Sequence, residues 1–399
     1  MPEEPKAPRH RAGRSSAPKD GKSSWTHPTT WTRTRRWGTG IGAVGLVLVI
    51  ALVVLLSSGG SSPTKTTVRQ IATPTTEPPT TSTVSKTPPP PAAGPVCPLD
   101  GLPAPGGKVP DRPALAFKID NYPTARPWSG IENADIIFEE PVEGFITRLV
   151  AVFQCQEASS VGPIRSAREA DQGIADLLTR PILIHVGSID QVTNLLDNSN
   201  LINIDLRYPQ YAGIVTNPPG RQAPYDTYAS TAAGWGLEPK DTIPPAAVFQ
   251  YSDTTPAGAP PLDTMSIDFS STSDESWTYH ANTDSYTLKY ADTGPALVEL
   301  PNGNTAAIST TNIVVQVVNY TLGPWVENSQ GGLEVMVDAT GSGPLMVLRN
   351  GVFVRGTWSR ASLSSPLTMT SDSGQPITLH PGTTWVDVVP SGQPVVPTP

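Results

Sequence analysis

The densest set of chemically capable side chains in this 399-residue chain is Glu139-Glu140-Pro141-Val142-Glu143-Gly144, at the end of a strand-like run and in the turn after it. Two carboxyls facing each other across a cleft could act as acid and base in glycan cleavage. Neighbours in an extended chain point to opposite faces, so Glu139 and Glu140 are not partners of each other. Glu140 with Glu143, or either with Asp171, is the pairing left, with Glu140 or Glu143 as the general acid. The plain alternative is a solvated acidic turn. A second set follows in Gly162-Pro163-Ile164-Arg165-Ser166-Ala167-Arg168-Glu169-Ala170-Asp171. Ser166 to Glu169 has the Ser-x-x-Glu form of a capping box, which accounts for the serine without nucleophilic chemistry. Arg165 and Arg168 stand near a helix N-terminus, where free N–H groups and the dipole already favour an anion. The carboxylate they bind is then a ligand's or one from the acidic turn.

Asp120 and Asn121 join Glu139, Glu140, Glu143, Arg165 and Arg168 to make the expected binding group. No metal site is expected, since His185, His280 and His380 lie far apart with no ligand-like spacing. His185, in an apolar run, reads as a core residue. No Walker-type loop, Gly-x-Ser-x-Gly or Gly-x-Gly-x-x-Gly is present, and no cofactor is expected. Trp128, Trp235, Trp277, Trp325, Trp358 and Trp385 could stack on sugars, but ordinary cores use tryptophan at this density too.

The elements that position these residues are legible from periodicity. Ala114–Ile119, Ala134–Glu139, Ile146–Phe153 and Pro181–Val186 read as strands, and Arg168–Leu178 and Ile189–Leu196 as helices. Residues 96–240 therefore form a mixed α/β half. After Asp241 the texture changes to short apolar or alternating runs, from Ala246–Tyr251 to Val352–Trp358, split by turn signals. A mostly antiparallel β domain is expected over residues 241–389, α+β in the whole, with a frayed Pro-rich tail at 390–399. Asn350-Gly351 predicts a hairpin with a type I′ turn.

Location is clearer than chemistry. Residues 38–57 are uncharged and apolar, long enough at about 1.5 Å per residue to cross a bilayer's hydrocarbon core. Nine Lys and Arg against three acidic residues precede them in 1–37, which puts a disordered basic tail in the cytoplasm and the rest outside the cell membrane. The alternative is a cleaved signal peptide, but Leu55-Leu56-Ser57-Ser58-Gly59 is a poor cleavage site. No Cys near the end of the run offers a point for lipid attachment. Residues 58–95, rich in Pro, Thr and Ser, read as an extended spacer. The chain's net charge is −8; the head carries +6 and residues 38–95 carry +2, which leaves −16 for residues 96–399. That balance excludes nucleic acid as a partner, because its affinity is built on cations set against phosphates. Cys97 and Cys155 are the two cysteines, and outside the cytoplasm a bridge is expected, with two buried thiols as the alternative.

Several stretches together resemble the YerB-like lipoprotein family. They are Cys97-Pro-Leu-Asp-Gly-Leu-Pro103, Arg112-Pro-Ala-Leu-Ala-Phe-Lys-Ile-Asp-Asn121, Ala125-Arg-Pro-Trp-Ser-Gly130, Ala134 to Gly144, Val161 to Arg168, Gly351 to Trp358 and Pro381 to Val386. The resemblance implies a two-domain cell-envelope protein of unsettled biochemical function. Two departures stand out: a membrane helix where the family commonly has a lipidated Cys, and Tyr225-Asp226 where it often shows His-Asn. Were that His-Asn catalytic, this chain would be impaired or different. The leading expectation is an envelope-anchored binding or scaffolding module for peptidoglycan or an envelope protein, in which replacing Arg165 and Arg168 weakens binding and spares the fold. A glycan-cleaving or wall-remodelling enzyme is the rival. A third reading makes the same charges a buried ion-pair network between the domains.

Overall fold

Runs such as Ile136-Ile-Phe and Leu149-Val-Ala-Val-Phe are apolar on both faces, and they form strands buried on both faces. The computed structural model describes residues 94–399 apart from 238, 240, 241 and 271. The expected cytoplasmic tail (1–37), the membrane helix (38–57) and nearly all of the spacer (58–95) lie outside the described residues. Among those described, no helix is long and apolar enough to cross a membrane.

The first half contributes β1 (Leu115–Asp120), β2 (Ile136–Pro141), β3 (Thr147–Phe153), β4 (Ile182–His185) and β5 (Ile202–Asp205), with α1 (Ala170–Ala175), α2 (Asp190–Asp197) and α3 (Thr231–Trp235). The second half contributes β6 (Thr264–Ile267), β7 (Glu275–His280), β8 (Ser285–Tyr290), β9 (Asn312–Val318), β10 (Tyr320–Val326), β11 (Leu333–Val337) and β12 (Gly341–Arg349). It continues with β13 (Val352–Arg360), β14 (Thr368–Ser371), β15 (Thr384–Pro390) and β16 (Val395–Thr398). Ten strands make one continuous sheet in the order β14-β13-β12-β9-β15-β2-β3-β1-β4-β5. β15 is the seam, parallel to β2 on one side and to β9 on the other.

Alternate residues of the central strands feed two cores. Phe117, Ile137 and Leu149 face the six-stranded sheet that holds β6, β7 and β8, together with Trp128, Trp277, Trp385 and Tyr290. Phe138, Val150 and Val386 face the other way, against Ile174 of α1 and Val192 and Leu196 of α2. Asn350 and Gly351 both take positive φ, as a type I′ turn requires. Cys97 and Cys155 form a disulfide, which pins the start of the domain beside the end of β3.

Three expectations are corrected. The tail does not fray: β16 pairs antiparallel with β6 as an edge strand. Ala246–Tyr251 forms no strand, and only Tyr251 makes an isolated bridge, to Leu379. Ser166 caps no helix: α1 begins at Ala170, and Asp171 is the side chain that reaches back, accepting from the Arg168 N–H at 2.7 Å.

Candidate functional site

The period of two along β2 separates the acidic residues onto opposite faces. On the helix side, Glu140 meets the ammonium of Lys118, which reaches over β3 from β1 and also donates to Asp171 at 2.9 Å. All three are fully buried. Burial pushes the Glu140 carboxyl up to about 7, against the pull of Lys118. The expected pairing of Glu140 with Asp171 is thus made through a shared cation.

Glu143 sits in the turn after β2 and is gripped by Arg168 through Nε and Nη2, at 2.7 and 2.5 Å. Arg148 adds a second guanidinium at 3.8 Å. Burial alone would raise the Glu143 carboxyl, but these cations hold it below its ordinary value. Arg148 itself is lowered to about 10 by burial and by the neighbouring Arg168. Arg168 also faces Glu327 at 3.2 Å and Glu334 at 4.0 Å, both from the second half. Arg165 pairs with Asp120 at 2.7 Å and keeps 29% of its side chain exposed. The acidic turn and the arginine cluster do meet, and they neutralise each other. Glu140 and Glu143, the expected general acids, are both committed to buried ion pairs. Glu327 and Glu334 had no local signal, since each lies over 150 residues from its arginine and reads as an ordinary residue of a β run.

On the opposite face Glu139 accepts from Asn121 at 2.9 Å, Thr147 at 2.6 Å and Tyr290 at 2.9 Å. Arg126 braces this group, donating to Asn121 Oδ1 and stacking 3.6 Å from the Tyr290 ring centre. Glu275 of β7 and Asp387 of β15 complete a buried carboxylate trio with Glu139. Sequence spacing could not show it, because the three come from separate strands of two sheets.

An open cleft lies elsewhere. A cleft of about 350 Å³ opens between the halves, walled by Glu132, Asn133, Glu157, Ser160, Arg221, Tyr228 and Glu299 among others. Arg221 pairs with Glu299 at 3.2 Å. Glu132 Oε2 and the Tyr228 hydroxyl are buried in this wall without a hydrogen-bond partner among the described residues. Burial raises the Glu132 carboxyl and pushes the Tyr228 hydroxyl up to about 12. Gly162 allows Tyr228 to stack on the backbone, since a Cβ there would lie 2.5 Å from the ring. Neither Glu132 nor Tyr228 belongs to the group read from sequence. Tyr228 closes the stretch in which Tyr225-Asp226 replaces His-Asn, and His185 is a buried core residue.

A two-domain protein with this motif set has relatives. Residues 99–241 match the family described as the N-terminal domain of a protein of unknown function (DUF3048), and residues 265–386 match its C-terminal domain. The chain belongs to this YerB-like family. It is 26% identical, over 301 residues, to the Bacillus subtilis (strain 168) protein named "Putative lipoprotein YerB", covering 73% of this chain and 86% of that one. The crystal structure of YerB from Bacillus subtilis shares the fold, with a TM-score of 0.62 and 22% identity over 75% of this chain and 99% of that one.

Proposed function

We propose that this chain is a membrane-tethered protein of the cell envelope whose folded region binds an envelope component, peptidoglycan first, in the cleft between its halves. The observation that carries the reading is the pair of unpartnered polar atoms in the cleft wall, Glu132 Oε2 and the Tyr228 hydroxyl. Buried polar atoms are ordinarily hydrogen-bonded, and exceptions call for a partner. The cleft brings three carboxylates and one guanidinium, the latter already paired with Glu299. It therefore suits a ligand rich in hydroxyl, amide and ammonium groups, as peptidoglycan strands and stem peptides are. The apolar run at 38–57, the Cys97–Cys155 disulfide and the lipoprotein name of the relative support the compartment.

The test incubates the full chain, solubilised in detergent, with isolated sacculi, and assays pelleted protein and released muropeptides together. Binding without release is expected. Glu132→Gln and Tyr228→Phe should each weaken co-sedimentation about tenfold with unchanged melting temperature. A wild-type protein that stays in the supernatant sinks the wall reading and directs attention to envelope proteins. Released fragments, lost in Glu132→Gln, would establish an enzyme with Glu132 as its acid instead.

A further inference from the structure

Glu139 and Asp387 lie directly opposite each other on adjacent parallel strands, β2 and β15. Glu275 reaches the same point from β7 in the facing sheet. Their exposures are 0%, 0% and 3%, and one oxygen of each lies within 4.8 Å of the others. Like charges directly opposite in a sheet repel, and three buried carboxylates need either protons or a cation. Lys118, Arg148, Arg165 and Arg168 are spent on Glu140, Asp171, Asp120 and Glu143, and Arg126 is the guanidinium on this side. As charged carboxylates, Glu275 and Asp387 meet no donor of normal geometry at any of their four oxygens among the described residues, and only a proton shared between the two would join them by a hydrogen bond. The indole N–H groups of Trp277 and Trp385 lie close enough to favour the charged carboxylates, yet make no hydrogen bond of normal geometry.

We propose that Glu139, Glu275 and Asp387 form a buried site for a hard divalent cation, Ca²⁺ in the first place. The donor set is oxygen alone, which selects hard cations over zinc or copper. Oxygen ligands about one Ca²⁺ at 2.3–2.6 Å span up to roughly 5 Å, and one oxygen from each of the three carboxylates falls within that limit of the others. The hydroxyl groups of Thr147 and Tyr290 sit within reach of Glu139 and hold its carboxylate in place. A cavity of about 180 Å³ also lined by Thr147 brings open space within one side chain of the trio. A bound ion would clamp β2, β7 and β15, and with them both sheets and both halves.

The test uses the full chain in detergent, stripped with a chelator and then titrated with Ca²⁺, Mg²⁺ or Mn²⁺ by calorimetry and thermal melting. One equivalent of Ca²⁺ and a rise in melting temperature are expected. Tb³⁺, a luminescent stand-in for Ca²⁺, should emit when tryptophan is excited, because Trp277 and Trp385 flank the trio, and Ca²⁺ should displace it. Asp387→Asn and Glu275→Gln should each lower affinity tenfold or more, and should melt higher than the stripped wild type. A wild type that binds none of these ions overturns the proposal, leaving protons as the neutralising species. Affinity unchanged in a folded Asp387→Asn variant overturns it equally, as adsorption to the acidic surface. Should both variants fail to fold, the wild-type titration and Tb³⁺ emission decide alone.

Discussion

Arg168 holds both carboxylate oxygens of Glu143, and it does so where both side chains are more than nine-tenths buried. The two residues belong to the motifs that looked most like a ligand site, and each is the other's ligand. Removing one partner of such a pair strands a buried charge, at a cost of about 3–5 kcal/mol. Arg168→Ala should therefore unfold in urea well below the wild-type midpoint. Arg165→Ala, whose side chain is partly in water, should lose about 1 kcal/mol or less. Equal, small losses in both would show that the Arg168 network contributes nothing to stability.

Stability should fall as the pH rises from mildly acidic to mildly alkaline. Burial raises Glu169 to about 7, and burial together with the adjoining Glu327 raises Glu334 to about 8, against an ordinary 4.5. In that window the folded chain holds protons that the unfolded chain has released, so the contribution is full below the unfolded value and is lost through the folded one. The loss falls between about pH 5 and 8, and about 7 kcal/mol is its ceiling, reduced by solvent screening because Glu169 is only partly buried. Glu143, held low by Arg168, acts the other way only at more acidic pH. Urea midpoints across the range should slope less in Glu169→Gln/Glu334→Gln, and an unaltered slope would refute the assignment.

The disulfide joins residues 58 apart, and the chain-entropy estimate for closing such a loop is ~4 kcal/mol. Cys97→Ala/Cys155→Ala should melt lower than the oxidised wild type. Limited proteolysis should then cut first between residues 94 and 112, which the bridge ties down. A cut elsewhere, with no change in melting temperature, would count against this role.

Deleting residues 394–399 removes β16 and bares β6, a sheet edge. A loss of about 1–3 kcal/mol and a new tendency to associate are expected. Light scattering and thermal melting check both, and a truncated chain as stable and monodisperse as the parent would show the strand to be dispensable.

Much of the architecture was legible because its signals are local. β1, β2 and β3 announce themselves as apolar runs, and Asn350-Gly351 carries its turn in two residues. The parity of β2 correctly kept Glu139 from Glu140. What escaped is what only tertiary contact creates. Glu275, Asp387, Glu327 and Glu334 look like solvent-facing residues until a second sheet covers them. The Pro-rich tail looked unable to pair, yet Pro397 sits in an edge strand, where proline is tolerated. Ser166 matched a capping pattern, but the helix starts three residues later than the pattern implies, and Glu169 turns instead to the Val337 N–H of the second half.

Lateral order in the large sheet runs against the order of synthesis. β15 fills its middle, between β2 and β9, although it is nearly the last segment to leave the ribosome. Until Thr384 to Pro390 arrive, β2 has one apolar edge with no neighbour, open to strands of other chains. Such distant pairing is slow to find. The newborn chain thus passes through a vulnerable interval set by its own connectivity, and a chain cut short before Thr384 never leaves it.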